Sequence, residues 1–201
     1  DKPKDIVSLA QTGTGKTAAF GLPILHHIDV KSKYTQALII APTRELCLQI
    51  TSEIEKYAIN LSGLNIVSIY GGSSIQDQAK SIKRGAQIIV ATPGRMLDML
   101  KRKYVNISSI EFCVLDEADE MLNMGFYKDI KSILAKTPKS KKTWLFSATM
   151  PNEVSKIANE FMNNPYKITV GEKNSSSVNV SHESYMVNNR SKYSSLKMFI
   201  D

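Results

Sequence analysis

The residue types with the most chemistry in them stand together near the start of the chain. Ala10-Gln11-Thr12-Gly13-Thr14-Gly15-Lys16-Thr17 combines two glycines, a lysine and three hydroxyls. Gly13 and Gly15 lack a Cβ, so the backbone can turn tightly and bring N–H groups against phosphate oxygens. Lys16 adds a full charge able to reach β- and γ-phosphates, and Thr17 offers a hydroxyl to Mg²⁺. Ala10 stands where the general phosphate-loop pattern has its first glycine, and its side chain is small enough to fit there. A second candidate is Asp116-Glu117-Ala118-Asp119, directly after the apolar Val114-Leu115. Asp116 and Thr17 could share one Mg²⁺, with Glu117 beside the γ-phosphate, placed to orient or deprotonate an attacking water. Each stretch has a plainer alternative: a Gly/Thr-rich turn, and an acidic helix start favoured by the helix dipole. Their presence in one chain favours phosphate chemistry.

Such residues act only if the elements around them share an edge. Strand-like runs recur at 6–10, 37–41, 66–70, 87–91, 112–116, 143–147 and 167–170. Most are continuous apolar runs, the pattern of strands buried on both faces of a parallel sheet. Helical periodicity lies between them. A helix is predicted to start after Thr17, and others are predicted over 45–62, 73–84, 93–102, 127–135 and 151–162. The second of these opens on a capping-box spacing, Ser73 to Gln76. The alternation predicts an α/β fold with a mostly parallel sheet sandwiched by helices. Ligands of open α/β sheets bind at the carboxyl ends of the strands, where both candidate stretches fall. Gly171-Glu172-Lys173-Asn174-Ser175-Ser176-Ser177 has no apolar residue and reads as a linker. A strand over 178–187 and a helix from 194 to 200 would follow, the entry to a second domain that the chain does not complete.

The totals suit this reading. The 201 residues carry a net charge of +7, which permits a nucleic-acid partner without requiring one. Cys47 and Cys113 lie in apolar contexts, as buried free thiols do in a reducing cytoplasm. No window approaches a membrane span. Lys80, Lys83 and Arg84, Lys101-Arg102-Lys103, and Lys139, Lys141 and Lys142 fall at helix ends or before a strand, on the edge opposite the phosphate loop. They read as solvated, dipole-favoured charges. Met96, Met99, Met121, Leu122, Met124 and Phe126 read as packing. His26, His27 and His182 lack partners at ligand spacing.

Six stretches in order, Ala10-Gln11-Thr12-Gly13-Thr14-Gly15-Lys16-Thr17, Pro42-Thr43-Arg44-Glu45-Leu46, Gly71-Gly72, Thr92-Pro93-Gly94-Arg95, Asp116-Glu117-Ala118-Asp119 and Ser147-Ala148-Thr149, resemble the motifs of DEAD-box RNA helicases. The chain looks like the first of their two RecA-like domains over 1–170, in the style of bacterial members. Residues 171–177 would be the linker, and 178–201 the start of the second domain. The resemblance implies an RNA-stimulated ATP hydrolase that uses MgATP. Gln11, Thr12, Gly13, Thr14, Gly15, Lys16 and Thr17 would bind the nucleotide, and Thr17 and Asp116 the metal. Lys16, Asp116 and Glu117 would carry the chemistry. Pro42, Thr43, Arg44, Gly71, Gly72, Thr92, Pro93, Gly94 and Arg95 would hold the RNA backbone, with little sequence preference. Ser147 and Thr149 would bond to Asp119 and couple nucleotide state to RNA; read by themselves they are a helix-cap cluster. In the family an adenine-reading segment lies upstream of the phosphate loop; the chain is expected to begin too late to include it, so the resemblance alone implies adenine selectivity. The piece is expected to be a cytoplasmic monomer, nearly inactive without its second domain. Three alternatives stay open: a DNA motor of related fold, a nucleotide-gated RNA clamp, and a phosphate-loop switch. The last is disfavoured because no guanine-reading Asn-Lys-x-Asp tetrad occurs.

Overall fold

In the computed structural model, residues 3–11, 13–170 and 183–199 are described. The strands are β1 (Ile6–Leu9), β2 (Ala37–Ile40), β3 (Ile66–Ile69), β4 (Ile88–Ala91), β5 (Phe112–Leu115), β6 (Lys142–Ser147) and β7 (Tyr166–Thr169). They form one sheet in the order β3-β4-β2-β5-β6-β1-β7, with every pairing parallel. All seven expected strands are present within one residue of each predicted end. The helices between them are α1 (Lys16–His27), α2 (Arg44–Tyr57), α3 (Ile75–Lys83), α4 (Pro93–Lys101), α5 (Ala118–Asn123), α6 (Tyr127–Leu134) and α7 (Asn152–Phe161).

The strand order dictates which face each helix covers. The steps β1 to β2 and β2 to β3 move toward the β3 edge, and every later step moves back toward β7. With right-handed crossovers, reversing direction moves the helices to the other face. Accordingly, Phe20 and Ile24 of α1 and Cys47, Ile50 and Ile54 of α2 share a core with Ile39, Val114, Trp144 and Phe146. Met96 and Met99 of α4, Met121 of α5, Ile130 and Ile133 of α6, and Val154 and Ile157 of α7 pack with Ile40, Leu115 and Leu145. Along β2 and β5 successive residues alternate between these two cores, and none of the eight exceeds 3% exposure. That is why those runs read as uniformly apolar.

Several boundaries differ from expectation. The helix expected over 45–62 ends at Tyr57, where Ala58 N–H closes on Ile54 O and Gly63 takes φ 89°. Ser74, not Ser73, caps α3, its hydroxyl accepting from Asp77 N–H. Met124 is 46% exposed rather than packed. Of the strand expected over 178–187, the described part, 183–187, is not a strand. The predicted linker, residues 178–182 and His182 lie outside the described residues. A last helix, α8 (Lys192–Met198), has no buried residue. Among the described residues no helix is long and apolar enough to cross a membrane.

Candidate active site

Register brings the candidate residues to one edge. Leu9 lies opposite Ser147, Leu115 opposite both Leu145 and Ile40, and Ala91 opposite both Ile40 and Ile69. The segments that follow β1, β2, β3, β4, β5 and β6 therefore leave the sheet side by side. β6 stands between β1 and β5, so Ala10 and Asp116 are two strand spacings apart, about 10 Å. Lys16 bridges that gap. Its Nζ donates to Ala10 O at 3.4 Å and lies 4.0 Å from Asp116 Oδ1.

The phosphate loop has the backbone its glycines permit. Gly13 and Gly15 take φ 79° and 82°, with open space where a Cβ would point, so conformation rather than crowding requires glycine there. Gly15 is the N-cap of α1 and no side chain caps that helix start, which leaves its N–H groups directed outward. The Thr14 hydroxyl donates to Gln11 O at 2.8 Å. Thr17 sits half-buried in the first turn, and Thr12 lies outside the described residues. This open cradle, with a lysine at its base and a carboxylate facing it, fits a triphosphate and its divalent cation.

At the end of β5, Asp116 is 3% exposed and its Oδ1 accepts from Glu117 N–H at 3.0 Å. Burial pushes its carboxyl up to about 6, against the pull of Lys16. A carboxyl raised in the fold favours the folded state only while protonated, so its ionisation opposes folding as pH climbs from about 4 to about 6. At most about 3 kcal/mol rides on that shift, at 1.36 kcal/mol per pKa unit. Asp116→Asn is therefore expected to raise the melting temperature of the nucleotide-free chain at pH 8, with the gain shrinking toward pH 4. Parallel thermal melts at the two pH values check this. An equal gain at both would assign the effect to packing.

Glu117 adopts φ 50°, ψ 53°, a left-handed conformation for a residue with a side chain. Such backbone costs on the order of 1–3 kcal/mol and tends to persist where it aims a functional group. Two residues on, Asp119 Oδ2 accepts from both the N–H and the hydroxyl of Thr149, each at 2.8 Å, and Asp119 N–H donates to Ser147 Oγ at 3.2 Å. Burial works to raise the Asp119 carboxyl, but these hydrogen bonds outweigh it and leave it below the usual carboxylate range. The contacts expected between Asp119 and the Ser147-Ala148-Thr149 stretch are thus present.

The three remaining stretches converge beyond β2. Thr43 caps α2, its hydroxyl accepting from Leu46 N–H at 3.2 Å. Arg44 is exposed and lies over the Tyr70 ring, 4.8 Å from its centroid. Gly72, at φ 80°, approaches the Arg44 guanidinium. Pro42 and Pro93 are buried, whereas Gly71, Gly72 and Gly94 are exposed and Thr92 is half-buried. Thr92 is the N-cap of α4 without a side-chain cap bond, and Pro93 supplies the first turn. Arg95 does not project freely: it donates from Nη1 and Nη2 to Ser73 O, each at 3.0 Å, and from Nη1 to Gln78 Oε1 at 2.9 Å. Sequence reasoning missed Tyr70 and Gln78. Tyr70 carried no signal, but Gln78 did, as a polar residue inside the apolar stripe of α3.

The basic clusters lie away from this edge. A cavity of about 1180 Å³ opens at the opposite end of the sheet, lined by Lys139, Lys141 and Lys142 among others. Lys141 is only 7% exposed, unlike the solvated lysine expected. It lines that cavity together with Leu134 and Ala135 at the end of α6. Cys47 and Cys113 are buried free thiols, both pushed up to about 12 by burial.

Residues 1–157 match the family described as DEAD/DEAH box helicase. The chain belongs to that family. This DEAD-box domain is 50% identical over 90% of its length to the ATP-dependent RNA helicase DeaD of Mycobacterium tuberculosis, covering 32% of that protein. It is 46% identical over 98% of its length to the ATP-dependent RNA helicase CshA of Listeria monocytogenes, covering 38% of it. It thus spans about a third of the curated relatives it matches. The crystal structure of a DEAD box protein from Methanococcus jannaschii superposes with a TM-score of 0.77 at 39% identity, over 98% of this chain and 53% of that one. A hypothetical ATP-dependent RNA helicase from Sulfolobus tokodaii gives 0.76 at 40% identity, over 83% of this chain and 48% of that one. These likenesses establish the RecA-like fold of the DEAD-box domain.

Proposed function

We propose that residues 1–170 form the first RecA-like domain of an ATP-dependent RNA helicase, with 171–177 a linker and 178–201 the entry to the second domain. The observation that carries this reading is the meeting of Lys16 and Asp116 across β6, at 4.0 Å, with Glu117 held in a strained conformation beside them. Gln11, Thr12, Gly13, Thr14 and Gly15 would wrap the triphosphate with backbone N–H groups, and Lys16 would turn from Ala10 O toward the β- and γ-phosphates. Thr17 and Asp116 would hold Mg²⁺, which when bound neutralises phosphate charge. Glu117 orients the attacking water and accepts its proton.

Arg44, Thr43, Gly71, Gly72, Thr92, Gly94 and Arg95 would contact the RNA sugar–phosphate backbone, over Pro42 and Pro93 as packed supports. Phosphates carry no sequence information, so such contacts select little among sequences. The Asp119–Thr149–Ser147 bonds join the acidic strand end to the end of β6. They support a role in passing nucleotide state to the RNA surface as the second domain closes. The chain would act as a monomer in the cytoplasm.

The test is ATP turnover by the full-length parent with single-stranded RNA or DNA of equal sequence. Turnover is expected to rise with RNA alone, because 2′-hydroxyl contacts distinguish RNA from DNA. Equal stimulation by DNA would make the protein a DNA motor. ATP-dependent RNA retention without turnover would make it a clamp.

A further inference from the structure

The apolar stripe of α3 contains one residue that does not belong to it by polarity. Ile75, Ala79 and Ile82 pack against the core, and Gln78 stands at the matching helical position, only 9% exposed. A polar side chain placed there costs stability unless its groups are paired. Both are. Gln78 Nε2 donates to Tyr70 O at 3.1 Å, and Gln78 Oε1 accepts from Arg95 Nη1 at 2.9 Å. A carbonyl can only accept and a guanidinium can only donate, so the amide has one allowed orientation.

The consequence falls on Arg95. Nη1 spends its two hydrogens on Ser73 O and Gln78, and Nη2 spends one on Ser73 O. Of five guanidinium N–H groups, the Nε–H and the outer Nη2–H along one edge remain unengaged among the described residues. That edge is the fork that meets a phosphate with two parallel hydrogen bonds. On the other side, Gln78 holds the carbonyl of Tyr70, whose ring lies under Arg44 and whose next two residues are Gly71 and Gly72.

We propose that Gln78 is a positioning residue for phosphate contact: its amide fixes the spacing between the Tyr70–Ser73 turn and the start of α4 and turns the Nε/Nη2 edge of Arg95 outward. This rests on the RNA-backbone reading above and extends it to a residue outside the six motifs. Without Gln78, Arg95 keeps Ser73 O but can rotate about that contact, and the turn loses its anchor to α3.

The test uses the 201-residue chain, a fluorescent single-stranded RNA at low salt, a fluorescent ATP analogue and thermal melts. Gln78→Leu, close in size, is expected to weaken RNA binding about tenfold and to leave nucleotide affinity unchanged within about twofold. In an Arg95→Ala background the same substitution should cost less than about threefold, since what it orients is gone. A merely structural role would give equal losses in both backgrounds and would overturn the proposal, as would unchanged RNA binding by Gln78→Leu. Should Gln78→Leu lose nucleotide binding and so prove misfolded, Gln78→Glu decides. It keeps an acceptor for Arg95 but sets a carboxylate against Tyr70 O, and it should weaken RNA binding by less than Gln78→Leu predicts yet by more than twofold; no loss would overturn the proposal. If the unaltered chain binds no RNA, the backbone reading itself fails, and this inference with it.

Discussion

Glu117→Gln is expected to lower RNA-stimulated ATP turnover by the two-domain parent about 10²–10⁴-fold, the usual worth of a positioned general base, while leaving nucleotide binding nearly intact. The substitution keeps side-chain shape and removes only the basic oxygen. Glutamine tolerates the left-handed backbone at this position no worse than glutamate does, so the strain at φ 50° is unchanged. Lys16→Ala separates from it in kind. Among the described residues Lys16 is the one cation that reaches into the loop toward Ala10 O and Asp116, so its loss should weaken nucleotide affinity as well as turnover. Turnover and equilibrium binding of a fluorescent nucleotide, measured on both variants, separate the two roles. A Glu117→Gln protein that turns over ATP at the parent's rate would remove Glu117 from the chemistry. One that still clamps RNA and still performs the biological task would favour the clamp.

The second large effect concerns the chain by itself. Membership of the DEAD-box family implies that the second RecA-like domain would supply transition-state arginines, and an arginine finger is worth ~10³–10⁵ in rate, or roughly 4–7 kcal/mol of barrier. What this domain offers in their place is small by comparison. The dipole at the start of α1 contributes ~0.3–1 kcal/mol. The 201-residue chain is therefore expected to hydrolyse ATP on the order of 10³–10⁵ times more slowly than the parent, with or without RNA. Single-turnover assays on the chain and the parent at matched nucleotide occupancy check this. Robust RNA-stimulated hydrolysis by the chain would show that the charge-stabilising groups lie within it.

The two experiments are linked through Asp116. Its buried carboxyl is held at about 6 in the nucleotide-free protein. A ligand cation would favour its ionised form, so nucleotide binding with metal should release a fraction of a proton near pH 6.

Much of this was legible before any fold was known. The phosphate loop, the acidic strand end and the seven strands are local patterns, although β7, read from the same kind of run, is exposed at every residue. Gly13 and Gly15 announce positive φ because no other residue adopts it freely, and runs such as Ala37-Leu38-Ile39-Ile40 announce burial on both faces because no polar residue interrupts them. Helix ends were less legible. Ser73 and Ser74 are both competent caps, and only the path of the chain out of β3 chooses Ser74.

Pairing across the sheet belonged to the tertiary structure. Nothing in the sequence says that β6 inserts between β1 and β5, yet that order sets how far Lys16 must reach to Asp116. Nor does the Thr92-Pro93-Gly94-Arg95 stretch show that its arginine is half committed to Ser73 O, or that Gln78 sits in the core to orient it. Residue types and spacing determined which groups were present and which chemistry they suited, because those properties travel with the side chain. Distances, burial and the direction of each free donor were decided by the fold, because they depend on neighbours 17 to 100 positions away in the chain, as with Gln78 and Arg95 or Lys16 and Asp116.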